Sequence, residues 1–244
     1  MSNYATAQSI GGREVQCDAT AVHTAPSGAR AYVLLDGIDT SDEVREWTRT
    51  AARRLARAAS RRGDAEAGLR HIYNGYAAEE TRQGPWGYGP KACALVAVTA
   101  PGRPLTVAWC GDVRAYLLTD GTLTRLTRDH NLRRIIPPTD VYPGGSRHRV
   151  SSCLGATDSD DEVMSAVGHP AIETATVDAP HGRLVLACDG VYEPHEDTGN
   201  NLADFLTGTP KEAAQRLVDA ALDAACVLPG TPDNATALVA DLTA

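Results

Sequence analysis

Four stretches of the chain share one chemical pattern: an apolar run that delivers an aspartate beside a turn residue. They are YVLLDG, ending in Asp36-Gly37; VAWCGD, ending in Asp112; LVLACDG, ending in Asp189-Gly190; and TPDN, with Asp233 just ahead of the last apolar run. A lone Asp-Gly is ordinarily a turn. Four carboxylates at the mouths of buried strands pose a larger problem, because each is costly to desolvate and, if they converge, they repel one another. A divalent cation resolves both difficulties. Hard oxygen donors select Mg²⁺ or Mn²⁺, which keep several waters and leave room for a substrate phosphate.

Rival hydrolytic chemistries find no support. None of the six cysteines (17, 93, 110, 153, 188 and 226) has an arginine six positions on, as a Cys-x₅-Arg phosphate cradle needs, and no Gly-x-Ser-x-Gly elbow occurs. The cysteines have no paired spacing, which reads as buried thiols in a reducing compartment rather than a disulfide or zinc framework.

The 244 residues carry 31 acidic against 23 basic side chains, a formal charge of −8 with the 7 histidines neutral. That balance argues against a nucleic-acid partner. No apolar run approaches the roughly 18 residues that span a bilayer, and MSNYATAQSIGGREV has no basic or apolar leader, so a cytoplasmic location without membrane contact is expected.

The elements that must position these residues alternate in blocks. Residues 31–36 read as a buried strand, and a helix is expected from about Thr40, with Thr40 and Glu43 as a capping box and Val44, Trp47, Ala51, Leu55 and Ala58 inward. Its opposite face carries Arg45, Arg49, Arg53, Arg57 and Arg61, a stripe that reads as solvated. A second helix is expected from about Asp64 to Glu80, with Leu69, Ile72, Tyr73 and Tyr76 inward, followed by a loop at 81–90. Strands are expected at 92–99 and 105–111, then a hairpin turning at Asp120-Gly121. Residues 131–150 read as an irregular surface excursion whose Arg133, Arg134, Arg147 and Arg149 either steer a phosphopeptide or are simply solvated. RLVLACD at 183–189 reads as a strand. Thr209-Pro210-Lys211-Glu212 caps a helix to about Ala225, and 235–242 forms the last strand. His130, beside Asp129, suits a structural hydrogen bond; the other histidines have no ligand spacing among themselves. Strands in two groups with helices set apart imply an α+β sandwich.

In order along the chain, these segments resemble the metal-dependent protein phosphatases of the protein phosphatase 2C (PPM) family, bacterial type. Arg13-Glu14-Val15-Gln16-Cys17-Asp18 stands where the family has Arg-x-x-x-Glu-Asp, and Asp36-Gly37 where it has the first metal motif. Cys110-Gly111-Asp112-Val113-Arg114-Ala115 resembles Gly-Asp-Ser-Arg-Ala, and Leu126-Thr127-Arg128-Asp129-His130 resembles Leu-Thr-x-Asp-His. Val150-Ser151-Ser152-Cys153-Leu154-Gly155 matches a strand leading to a glycine. Ala187-Cys188-Asp189-Gly190-Val191-Tyr192 resembles Ser-Asp-Gly-Leu-x-Asp, and Asp233-Asn234-Ala235-Thr236 the terminal Asp-Asn-x-Thr.

The resemblance implies one catalytic domain over 1–244, a four-layer αββα sandwich with two central, mainly antiparallel sheets flanked by helices. It also implies two Mg²⁺ or Mn²⁺ ions, with a third, weaker one. Asp36 would bridge the two metals, the Gly37 carbonyl would ligate the first, Asp189 and Asp233 the second, and Asp112 would anchor the third. Arg13 would hold the phosphate, and Asp18 would support the attacking water from behind the ligands. The implied activity is hydrolysis of phosphoserine and phosphothreonine in proteins, opposing a serine/threonine kinase, by water bridging the two ions. The alternative is a weakly active or inactive relative that binds phosphoproteins. Two departures bear on the choice. Cys17 replaces the usual glutamate, which removes a charge and an acceptor. Ile38-Asp39-Thr40 replaces His-Gly-Gly, so the histidine proposed as general acid in eukaryotic members is missing. Substituting Cys17→Glu is expected to tighten Mn²⁺ binding, measured by calorimetry.

Overall fold

Antiparallel strands joined by short connections bring alternate strand ends to the same edge, and this rule places every aspartate of interest. The computed structural model describes residues 3–178 and 181–242. In chain order the elements are β1 (Tyr4–Ser9), β2 (Ala19–Thr24), β3 (Arg30–Ile38), α1 (Asp42–Arg62), α2 (Ala65–Ala77), β4 (Lys91–Thr99), β5 (Leu105–Cys110), β6 (Arg114–Thr119), β7 (Thr122–Arg125), α3 (Leu132–Ile135), α4 (Asp160–Val167), β8 (Glu173–Val177), β9 (Gly182–Ala187), α5 (Asp189–Thr198), α6 (Pro210–Ala225) and β10 (Ala235–Leu242). Short 3₁₀ turns lie at Glu80–Arg82 and Leu202–Phe205.

The strands form two five-stranded sheets, ordered β1-β10-β9-β6-β7 and β2-β3-β4-β5-β8. All their strand pairs are antiparallel. Helices α1 and α2 pack on the second sheet, and α5 and α6 on the first. The expected αββα sandwich is the observed one. Period-two alternation makes the layers: along β3, Tyr32 and Leu34 point between the sheets, while Ala31, Val33 and Leu35 meet the helices. In β4, Cys93, Leu95 and Ala97 take the inner side, and Ala92, Ala94, Val96 and Val98 the helical side.

The register gathers one rim. In the second sheet Asp36 pairs with Cys93, and Ala94 with Cys110, so the end of β3, the start of β4 and the end of β5 coincide. Asp18 precedes β2 at the same edge, where Ala19 pairs with Leu35. In the first sheet Ser9 faces Ala235, and Ala187 faces both Ala237 and Arg114. Arg13, Asp112, Asp189 and Asp233 therefore all leave the first sheet at one edge.

Several local expectations shift. Helix α1 is capped by Ser41, whose side chain accepts from the Val44 backbone N–H, so the Thr40–Glu43 box does not form. Its arginine stripe is exposed from Arg49 to Arg61, with Arg45 half-buried and paired to Asp42. Helix α2 ends at Ala77 instead of running to Glu80. Strand β9 stops at Ala187, and Asp189 opens α5, which the sequence pattern did not signal. That helix holds Pro194 and four acidic residues, which blur its periodicity. The short α4 buries only Val163, and β8 is nowhere fully buried, so neither carries a strong apolar pattern. The Thr209–Glu212 capping box forms as read, as does the hairpin with Asp120 and Gly121 both at positive φ.

Leu34 is fully buried between the sheets. Leu34→Ala should cost about 2–5 kcal/mol of stability through lost burial and a residual cavity, read as a shifted midpoint in urea denaturation.

Candidate metal centre

A cavity of about 820 Å³ opens at the gathered rim, and Arg13, Asp36, Gly37, Asp112, Asp189 and Asp233 all line it. Four segments far apart in sequence thus bring their carboxylates to one space. Asp39, Arg147, His148, Glu193 and Asp197 line it too. Glu193 and Asp197 went unrecognised in the sequence; the only available signal was their i+4 and i+8 spacing from Asp189 on one helix face.

The electrostatics are those of a site short of positive charge. Burial, then Asp189, push the Asp36 carboxyl well above the usual carboxylate range. Burial, then Asp233, raise Asp189. Asp112 is pushed up to about 7 by burial and Asp189, and Glu193 to about 8 by the same two causes. Asp18 sits behind the cavity, 3% exposed, and burial raises it to about 7. Its Oδ2 accepts from the Thr236 hydroxyl at 2.6 Å and the Cys188 thiol at 3.5 Å, but its buried Oδ1 has no partner. Ligand atoms of Asp18, Asp36 and Cys188 lie within 4.8 Å of one another, as do those of His148, Asp189 and Glu193. The unpartnered oxygen, the mutual repulsion and the oxygen-rich donor set fit hard divalent cations. The histidines, which share no ligand spacing in sequence, thus include one brought to the site by folding.

The supports are specific. A Cβ on Gly37 would lie 2.7 Å from the Cys17 carbonyl oxygen, and one on Gly190 2.0 Å from that of Asn234, so both Asp-Gly pairs need glycine for close backbone approach. Asn234 ties three segments together: its Oδ1 accepts from the Cys17 N–H at 2.8 Å, and its Nδ2 donates to the Ile10 carbonyl at 3.0 Å. Cys17 itself is buried, its thiol directed at the Ser41 carbonyl at 3.6 Å, with burial raising its pKa. Arg114 pairs with Asp129 at 2.8 Å and lies 3.5 Å over the Tyr192 ring, whose hydroxyl donates to the Asp112 carbonyl at 3.0 Å. His130 is fully buried; it accepts from the Gly111 N–H at Nδ1, which leaves Nε2 to donate to Glu173 at 3.0 Å. The two motifs around Asp112 and Asp129 are thus one scaffold under a single carboxylate.

Arg13 pairs with Asp233 at 2.6 Å, each about two-fifths exposed. Of the excursion's arginines, Arg134 is bound to Glu173 by two hydrogen bonds, at 2.6 and 2.8 Å. Arg147 reaches Glu193 at 3.1 Å and Asp197 at 2.7 Å. Both are committed to ion pairs, and Arg147 fastens the excursion to α5 beside the cavity.

The sequence profile described as Protein phosphatase 2C matches residues 27–135. Serine/threonine protein phosphatase PstP of Mycobacterium tuberculosis (strain H37Rv) is 31% identical over 152 residues, covering 61% of this chain and 27% of that protein. Protein phosphatase 2C homolog 1 of Saccharomyces cerevisiae is 33% identical over 144 residues, covering 56% and 49%. Over residues 27–135 the chain is similar to the protein phosphatase 2C family. It spans about a quarter to a half of the length of the curated relatives it matches. The fold agrees. The PPM Ser-Thr phosphatase MsPP of Mycobacterium smegmatis, solved with cacodylate, superposes with a TM-score of 0.71 at 24% identity over 98% of both chains. The M. tuberculosis phosphatase PstP/Ppp gives 0.66 at 24% identity, over 99% of this chain and 98% of that one.

The raised carboxylates set a pH dependence. Between their ordinary value near 4 and about 7, the folded chain binds more protons than the unfolded one, so this group of side chains costs stability as pH rises through that window. A divalent cation bound there would replace those protons. Saturating Mn²⁺ should therefore raise the melting temperature more at about pH 8 than at about pH 6, by several degrees for each few kcal/mol. Equal shifts at the two pH values would contradict this electrostatic reading.

Proposed function

We propose that the chain is a metal-dependent serine/threonine phosphoprotein phosphatase, a phosphoric monoester hydrolase with residues 1–244 acting as one catalytic domain. The observation that carries this reading is the meeting of Asp36, Asp112, Asp189 and Asp233 in one cavity with Arg13 at its edge. Asp36, the Gly37 carbonyl, Asp189 and Asp233 would hold two Mg²⁺ or Mn²⁺ ions, with Asp112 available to a third. Bound there, such ions neutralise phosphate charge and make water a competent nucleophile at neutral pH.

The chain's own groups do the positioning. Arg13 is placed to exchange its Asp233 partner for two phosphate oxygens once cations satisfy that carboxylate. Asp18, with Oδ2 fixed by Thr236, keeps Oδ1 to accept a hydrogen bond from water beside Asp36. No histidine stands at Ile38-Asp39-Thr40, so the leaving serine or threonine oxygen takes its proton from solvent in the cavity. Phosphomonoester hydrolysis asks little covalent chemistry of the protein, and such placement suffices. The substrates are phosphoserine and phosphothreonine in proteins, opposed by a serine/threonine kinase, and the reaction is placed in the cytoplasm. Among the described residues no helix is long and apolar enough to cross a membrane.

One observation favours a binding-only alternative: the Cys17 thiol, in the place of a family carboxylate, is turned to a backbone carbonyl and does not line the cavity. Turnover separates the two. Hydrolysis of para-nitrophenyl phosphate should require Mn²⁺ and stop with a chelator. Asp189→Asn should lower turnover at least about 100-fold with an unchanged circular dichroism spectrum. Absence of metal-dependent turnover in the wild-type protein, on this substrate and on phosphopeptides, would leave only the binding reading.

A further inference from the structure

A few residues ahead of β4, whose first residues reach the cavity rim, the chain displays two large aromatic side chains that the fold does not cover. Trp86 is 91% exposed and Tyr88 72% exposed, both in the loop at 83–90 that leads into β4. Tryptophan and tyrosine are among the side chains most enriched at binding hot spots.

The loop is held, not loose. Arg82, 6% exposed, donates to the Pro90 carbonyl at 2.9 Å and the Gly155 carbonyl at 3.0 Å, pairs with Glu79 at 2.8 Å, and stacks over Trp47 and Tyr76 at 5.3 and 5.6 Å. The Tyr88 N–H returns to the Thr81 carbonyl at 2.9 Å. A Cβ on Gly87 would lie 2.2 Å from the Arg82 carbonyl oxygen, so the loop closes tightly around this arginine. A buried cation thus organises a loop whose two rings face outward. Such pre-organisation lowers the ordering cost of binding.

The strand that follows the loop reaches the cavity. The loop joins β4 at exposed Lys91, which pairs in register with Ile38; Ile38 is 37% exposed and lines the cavity, as does Cys93 two residues further on. The cavity wall is rich in carboxylates, which disfavours acidic segments beside the phosphate, while the exposed rings of Trp86 and Tyr88 and the partly exposed Ile38 offer apolar contact. We propose that Trp86 and Tyr88 form a docking lip for phosphoprotein substrates, seating an apolar side chain a few residues from the phosphorylated serine or threonine while the phosphate enters the cavity. This rests on the phosphatase reading of the cavity and adds a substrate preference to it.

The test uses the full chain with Mn²⁺ and two phosphothreonine peptides that differ only in their flanks, leucine- and isoleucine-containing in one, serine and glycine in the other. The wild-type protein should prefer the apolar peptide by about tenfold in kcat/KM, equivalent to about 1.4 kcal/mol. Trp86→Ser with Tyr88→Ser should remove that preference through KM, leaving kcat and the hydrolysis of para-nitrophenyl phosphate, too small to reach the loop, within about twofold. Fluorescence anisotropy of the labelled peptides should show the same loss as weaker binding, whether or not turnover occurs. A wild-type protein that does not distinguish the peptides, or a double variant that still does, overturns the docking lip. Loss of all para-nitrophenyl phosphate turnover in the wild-type protein would instead overturn the phosphatase reading, with anisotropy still deciding the lip.

Discussion

Repulsion among carboxylates held at one rim is the constraint around which the rest of the structure is organised. Two such charges 4–5 Å apart repel by about 3–4 kcal/mol at an effective dielectric of about 20, and here at least five acidic side chains share the neighbourhood. A fold optimised only for stability would not keep them together. Burial first, and repulsion added to it, push Asp18 and Asp112 up to about 7, so protons relieve the strain in part. Cations relieve it more fully. Arg13 offers a single partial answer by pairing with Asp233, so the group expected to bind phosphate and a group expected to bind metal occupy each other in this structure.

The scaffold tolerates that repulsion because its supports are themselves well satisfied. Arg114 is neutralised by Asp129 and sandwiched against Tyr192, which in turn holds the backbone of Asp112. His130 stays neutral through burial, and despite its own burial Glu173 is held below the usual range by Arg134 and His130. Asn234 joins the first loop, the Cys17 segment and the last strand. These groups do no chemistry in the proposed reaction. They hold strained groups in place, and rigid second-tier contacts of this kind are what keep a multidentate site in position.

The legibility of these parts differed for physical reasons. Long amphipathic elements and buried strands, such as α1, α6, β3, β4 and β10, were readable because burial imposes a period on the residues. Helix α5 and strand β8 were not, since a short element at the edge of the core carries too few apolar positions to set a period. The exchange of Thr40 for Ser41 as the cap is a one-residue shift that spacing does not resolve. Glu193, Asp197 and His148 escaped because their relevance depends on where α5 and the excursion meet.

The sequence by itself determined the layered fold class, the chemical type of the candidate ligands and the glycines beside them, because these follow from apolar periodicity and from the cost of burying charge. Only the tertiary structure decided that the aspartates share one cavity, that Arg13 reaches Asp233 and that the Cys17 thiol turns to a backbone carbonyl. Those outcomes depend on strand register and loop closure across separations of up to about two hundred residues, and contacts of that range leave no local periodicity in the chain.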